Sequence, residues 1–175
     1  MIKTSLKILY FCVLFFASIK TSYAGDGDKV DNNLKVGNWN ALIEHGICYA
    51  KSIPVREVEQ ESKDRRDASM LVYYLGPDMY TIGVDPGYLI DEKKNFTLTV
   101  QDRTFYLNIS RDDTYAKTYS SAQDVHIIDA FIKTTDNHFT VRSYNQKGEY
   151  SIDYYSLVGL KEALRYLQYA CIKPQ

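Results

Sequence analysis

A chain of 175 residues suffices for one ordinary domain and is short for two. Hydrophobic residues make up 45% of it, enough for a core that needs no dense disulfide scaffold. The 21 basic residues against 22 acidic ones lack the basic excess of a phosphate-binding domain, which excludes nucleic acid as the default partner. Tyrosine supplies 16 residues, a composition that favours strands or an adhesive surface over a helical bundle.

The first 24 residues read as an export signal. Lys3 and Lys7 precede an apolar run over 8–17, and Ser22-Tyr23-Ala24 supplies a small-x-small cleavage site. The run is too short for a comfortable membrane span. Cys12 lies in its middle rather than at its end, which argues against lipid attachment. Removal of this segment takes away Lys3, Lys7 and Lys20 and leaves 18 basic against 22 acidic groups, a net charge of −4. It also leaves two cysteines, Cys48 and Cys171. An even pair in an exported chain reads as a disulfide. Two cysteines and the scattered His45, His126 and His138 supply no zinc-ligand spacing and no redox CxxC. Neither a metal nor a cofactor is expected.

Residues 25–36 are polar and glycine-rich and read as a flexible leader. Two short strands are expected around Gly46, within 37–52. Pro54 then opens a segment in which 56–67 carries nine charges in twelve residues, a solvated loop or strand edge. From residue 69 a period of two takes over. Leu71, Tyr73 and Leu75 share one face, and Gly76-Pro77-Asp78 is a turn. Tyr80, Ile82 and Val84 share a face of the next strand. Phe96, Leu98 and Val100 alternate inward, a turn falls at Asp102-Arg103, and Phe105, Leu107 and Ile109 repeat the pattern, a strong hairpin signal. Tyr115 and Tyr119 belong to a further short strand. A helix is predicted over 121–134, capped by Ser121 with Asp124 three residues on. Its stripe is Val125, Ile128 and Ile132, widened by Ile127 and Phe131. A second hairpin turns about 145–148, where Gly148 suits a positive φ.

The closing stretch predicts a helix over 157–171 behind Ser156 as N-cap. Leu157, Leu160, Leu164, Leu167 and Cys171 form its apolar stripe, so the sulfur faces the core. Gly159 within it costs about 1 kcal/mol of helix propensity, best tolerated where the first turn packs closely on a strand. Antiparallel strands with two helices point to a β-sandwich with helical additions.

Several stretches together resemble the invasion-associated locus B family of exported bacterial proteins. At the C-terminus these are Asp153, Tyr155, Ser156, Leu157, Gly159, Ala163, Leu164 and Cys171. At the start of the domain they are Trp39, Cys48, Tyr49, Ser52 and Pro54, with Gly87-Tyr88 and the 124–133 stretch between. The likeness covers roughly 37 to 171. It departs from the family at Tyr115, where a tryptophan is common, and in the charged 56–67 segment. The resemblance implies an immunoglobulin-like antiparallel sandwich over 37–173, located in the periplasm, at the outer membrane or outside the cell, with no catalytic residues to carry over.

The functional expectation is a non-catalytic interaction or structural factor, associated with host-cell invasion or envelope integrity. Its partner would be a protein or glycan of the envelope or of a host cell. Membrane association is compatible with this, though the mature chain keeps no membrane-spanning segment. The expected contact surface is the charged segment, through Arg56, Lys63, Arg65 and Arg66, with neighbouring exposed tyrosines. One alternative is a periplasmic assembly helper that uses an open sheet edge. Another is a hydrolase of envelope polymers drawing on Asp153, Glu149 or His138. Glu149 and Asp153, four positions apart on a strand, would lie about 13 Å apart, too far for a glycosidase carboxylate pair.

Overall fold

The computed structural model describes residues 32–60 and 65–172. The expected export signal, the first part of the expected leader and Lys63 lie outside the described residues. Eleven strands and two helices follow in the order β1 (Asn33–Val36), β2 (Trp39–Glu44), β3 (Ile47–Ser52), β4 (Arg56–Gln60), β5 (Ser69–Gly76), β6 (Met79–Asp85), β7 (Phe96–Val100), β8 (Arg103–Ile109), β9 (Ala116–Lys117), α1 (Ser121–Lys133), β10 (His138–Tyr144), β11 (Tyr150–Ser156) and α2 (Leu160–Ile172). The end of the expected leader is therefore a strand. β1 pairs with β2 across the Gly37-Asn38 turn.

The strands hydrogen-bond in the order β1-β2-β3-β5-β6-β9-β8-β7-β10-β11-β4. Every pairing is antiparallel. β8 belongs to both arms: Asn108 and Ile109 pair with β9, and residues 103–107 pair with β7. The fold is the mainly β antiparallel sandwich with two helices that the sequence predicts.

Register decides which side chains enter the core. Partners across β2, β3, β5 and β6 form rows such as Ala41, Ala50, Val72 and Ile82, all fully buried. In β5 the inward residues are Met70, Val72 and Tyr74. The Leu71-Tyr73-Leu75 set that the sequence groups together is the outer one, and Leu75 is 63% exposed. A shift of one residue exchanges the faces of a strand, and here both sets are large and apolar. In the other arm Phe96, Leu98 and Val100 point inward as expected, beside Phe139, Val141 and Tyr155 of β10 and β11. Phe139 stacks on Tyr155 at 5.3 Å and 11°, and Phe131 of α1 meets Phe139 at 4.6 Å. Trp39, fully buried, donates its indole N–H to the Ser156 carbonyl at 2.8 Å and so ties β2 to the end of β11.

The helices begin differently from the prediction. Ser120, not Ser121, caps α1 by accepting from the Gln123 N–H at 3.3 Å. Asp124 serves the sheet instead. Its buried carboxylate accepts from the Ile82 N–H at 3.0 Å and the Thr118 hydroxyl at 2.5 Å, which satisfies the edge of β6 where the two-residue β9 ends. α2 starts at Leu160, so Leu157 and Gly159 precede it. Gly159 has φ +93°, and a Cβ there would lie 2.0 Å from the Val36 carbonyl oxygen. Close packing on a strand is indeed why the residue is glycine, but from the turn before the helix. At the far end of α2, Cys171 forms a disulfide with Cys48 of β3, with Cα atoms 6.5 Å apart. No helix among the described residues is long and apolar enough to cross a membrane.

Candidate interaction surface

The charged segment divides into three parts. Arg56, exposed, lies on β4, an edge strand, in register with Tyr154 of β11. Arg65 is not a surface residue: its side chain is 2% exposed and forms a two-pronged ion pair with the fully buried Asp153, at 2.7 and 2.5 Å. Its Nε donates to the Pro86 carbonyl at 2.7 Å, and its guanidinium lies 5.7 Å from the Tyr88 ring centre. The expected four-residue contact surface thus loses Arg65 to the core, because Asp153 faces inward on β11 and needs a cation there. Arg66 is exposed and stands 3.8 Å from Asp85.

Next to this ion pair the Tyr88 hydroxyl meets Ser143 at 2.6 Å and Ser151 at 2.8 Å, all buried. Burial pushes the Tyr88 phenol up, and the two serine contacts and Arg65 only partly offset it. The three hydroxyls satisfy one another, and Asp153 is committed to Arg65. The cleft above them, about 500 Å³, is lined by Arg66, Gly87, Leu89 and Asn145 among others. Asn145 is occupied within its own turn: its amide donates to Glu149 at 2.6 Å, and its carbonyl accepts from the Lys147 and Glu149 N–H groups at 3.0 Å.

The candidate hydrolytic residues do not converge. Asp153 faces the core and Glu149 is held by Asn145 in the hairpin turn. His138 is exposed at the start of β10, its ring 5.5 Å from that of Tyr154. Among the described residues no group of histidine, cysteine or carboxylate side chains is placed to hold a metal ion.

The outer face of β10 and β11 is a different environment. Phe139, Val141 and Ser143 are buried, so alternation turns His138, Thr140, Arg142 and Tyr144 outward. Across the ladder Tyr144 pairs with Tyr150, Arg142 with Ile152 and Thr140 with Tyr154. The Arg142 guanidinium lies 5.3 Å from the Tyr144 ring centre and 5.0 Å from that of Tyr150. Lys94, from the loop before β7, stands 5.9 Å from the Tyr144 ring centre. These are cation–π distances. Arg56, Lys94 and Arg142 form no ion pair among the described residues. On the neighbouring edge strand Glu59 is in backbone register with Ile152. Of this platform the sequence reading singled out Arg56 alone. The signal for the rest was the alternation within 138–144, which sends an arginine and a tyrosine to the side opposite Phe139 and Val141.

Invasion associated protein B from Bartonella henselae, known from a crystal structure, superposes on this chain with a TM-score of 0.56. The match covers 81% of this chain and 99% of that one at 14% identity. The two chains share a fold. The sequence resemblance pointed towards a family of similar name, and the agreement is one of fold. No family model and no curated protein matches the sequence.

Proposed function

We propose that this chain is an exported binding protein of the bacterial envelope or exterior, associated with host-cell invasion or envelope integrity, and that it acts without catalysis. Its contact surface is the outer face of β10 and β11 together with Arg56 on the adjoining edge strand. The observation that carries this reading is the set of three exposed cations, Arg56, Lys94 and Arg142, set among Tyr144, Tyr150 and Tyr154. Tyrosine rings bury area while their hydroxyls keep a polar partner, and exposed cations steer an acidic partner at a salt-dependent rate. The printed name of the structural neighbour supports the association with invasion. The alternative role as an assembly helper would use a bare sheet edge. The β4 edge carries Arg56, Glu57 and Glu59 in five residues, the charged pattern that discourages strand addition.

The test replaces Arg56, Lys94 and Arg142 together by alanine in the full chain. Retained thermal stability with loss of binding to envelope or host-cell membrane fractions is expected, and the wild-type interaction should weaken with salt. Unchanged binding would remove this face from the reading. Turnover of an envelope polymer by the wild type would overturn the non-catalytic assignment.

A further inference from the structure

The stripe Val125, Ile128, Ile132 predicted for α1 does not all enter the core. Ile128 is buried, but Val125 is 54% and Ile132 47% exposed. The buried stripe is Asp124, Ile127, Ile128 and Phe131. Val125 and Ile132 instead line a groove of about 340 Å³ between α1 and α2, and the buried side chains of Ile128, Leu164 and Tyr80 also line it. That volume lies in the range of small-ligand sites.

The charges on the rim are unequal. On the α1 wall Asp129 is already paired with Lys133 at 2.7 Å. On the α2 wall Lys161 and Arg165 are exposed, one turn apart, and neither has an ion pair or hydrogen bond among the described residues. Two like charges at this spacing cost helix stability rather than adding to it. Asp78, exposed at the tip of the β5–β6 hairpin, completes the rim. It disfavours an anion on its own side and so directs one to the α2 wall.

We propose that this groove binds a single-chain anionic amphiphile of the fatty-acid class, its hydrocarbon along Val125, Ile128, Ile132 and Leu164 and its carboxylate at Lys161 and Arg165. A membrane surface would be met by protruding apolar side chains within a broad cationic field. Here half the apolar lining is recessed and the rim carries both signs. The site shares no residue with the outer face of β10 and β11 and stands or falls separately from it.

The experiment is calorimetric titration of the full chain with octanoate, decanoate and dodecanoate below their micelle concentrations, and with 1-decanol as the uncharged comparator. Each buried methylene should tighten binding about fourfold, so decanoate should exceed octanoate by roughly fifteenfold. Decanoate should exceed decanol by about two- to fivefold, the value of an exposed ion pair. Lys161→Ala with Arg165→Ala should abolish that preference and keep the chain-length dependence. Ile132→Asp, at a half-exposed position and with an unchanged far-ultraviolet spectrum and Tm as the check on folding, should weaken decanoate at least tenfold. Affinity independent of chain length, equal affinity for decanol and decanoate, or indifference to Ile132→Asp would overturn the proposal. So would binding to vesicles of anionic phospholipid without uptake of monomeric decanoate, which would make the feature a membrane contact.

Discussion

Asp153→Asn keeps the size of the side chain and removes its charge, depriving the buried Arg65 guanidinium of the two-pronged pairing with that carboxylate. Both side chains are shielded from water, at 2% and 0% exposure, and the pair is two-pronged. Breaking such a pair from one side costs about 3–5 kcal/mol, because the remaining charge loses that attraction and cannot recover its hydration. For a domain of this size that corresponds to a fall in Tm of roughly 6–20 °C. Urea unfolding of the disulfide-bonded protein, read as a shift in midpoint at constant slope, measures it. The double replacement Arg65→Met with Asp153→Leu removes both charges and keeps apolar volume. It should recover most of the loss or exceed wild type, since paired burial of charge often gains nothing over good packing. Arg66→Ala is the control: its contact with Asp85 is exposed and 3.8 Å long, so a change within about 0.5 kcal/mol is expected. A loss under about 1 kcal/mol for Asp153→Asn, or a double variant as damaged as the single one, would refute the assignment of Arg65 to the core. The outcome also bears on surface mutagenesis. Neutralising Arg65 along with Arg56 and Arg66 would report a damaged sandwich, not a lost contact.

Two further outcomes are expected. Replacing both Cys48 and Cys171 by alanine opens a closure of 123 residues and should cost about 2–5 kcal/mol, seen as a lower urea midpoint that reducing agent lowers no further. The Tyr49 phenol is pushed up to about 12 by burial first and then by its 2.6 Å hydrogen bond to Glu44. A folded-state pKa above the unfolded value of 10.0 contributes stability that is full below pH 10 and is lost as pH rises towards 12. Wild type should therefore lose more Tm than Tyr49→Phe across that window, and parallel losses would refute it.

Local pattern was enough where one face of an element is plainly apolar and the other plainly polar. Phe96, Leu98 and Val100 alternate with Thr97, Thr99 and Gln101, and the hairpin of β7 and β8 follows with the right face inside. The α2 stripe and its terminal cysteine were legible for the same reason. In 69–76 the pattern was ambiguous because both faces are large and apolar. The choice comes from pairing with β3, where Cys48, Ala50 and Ser52 oppose Tyr74, Val72 and Met70. That information lies some twenty residues away and on another strand. Arg65 was harder still. Nothing in a run of nine charges distinguishes the one that is buried, and the carboxylate that decides it is 88 positions distant. The platform around Arg142 failed to stand out because its members are spread over β10, β11, β4 and the loop before β7. Only the ladder brings them together.

The long-range ties of this fold lie on the inner faces or at the ends of the sandwich. Trp39 bonds to the Ser156 carbonyl, Arg65 to Asp153, Cys48 to Cys171, and the Gly37 and Gly159 turns meet at backbone distance. Together they join the first hairpins to the last strand and helix without using the outward residues of β10 and β11. Arg142 sits between two tyrosine rings while making no ion pair among the described residues. An exposed arginine held only by rings has surrendered side-chain freedom and still has its hydrogen-bond donors to offer. A ligand that engages it incurs less of the ordering cost that association normally carries. Core residues closing the fold and exposed outward cations constitute a division of labour between the two faces of the same strands. It is this division, more than the charge of the 56–67 segment, that favours the outer sheet face as the place where the protein meets its partner.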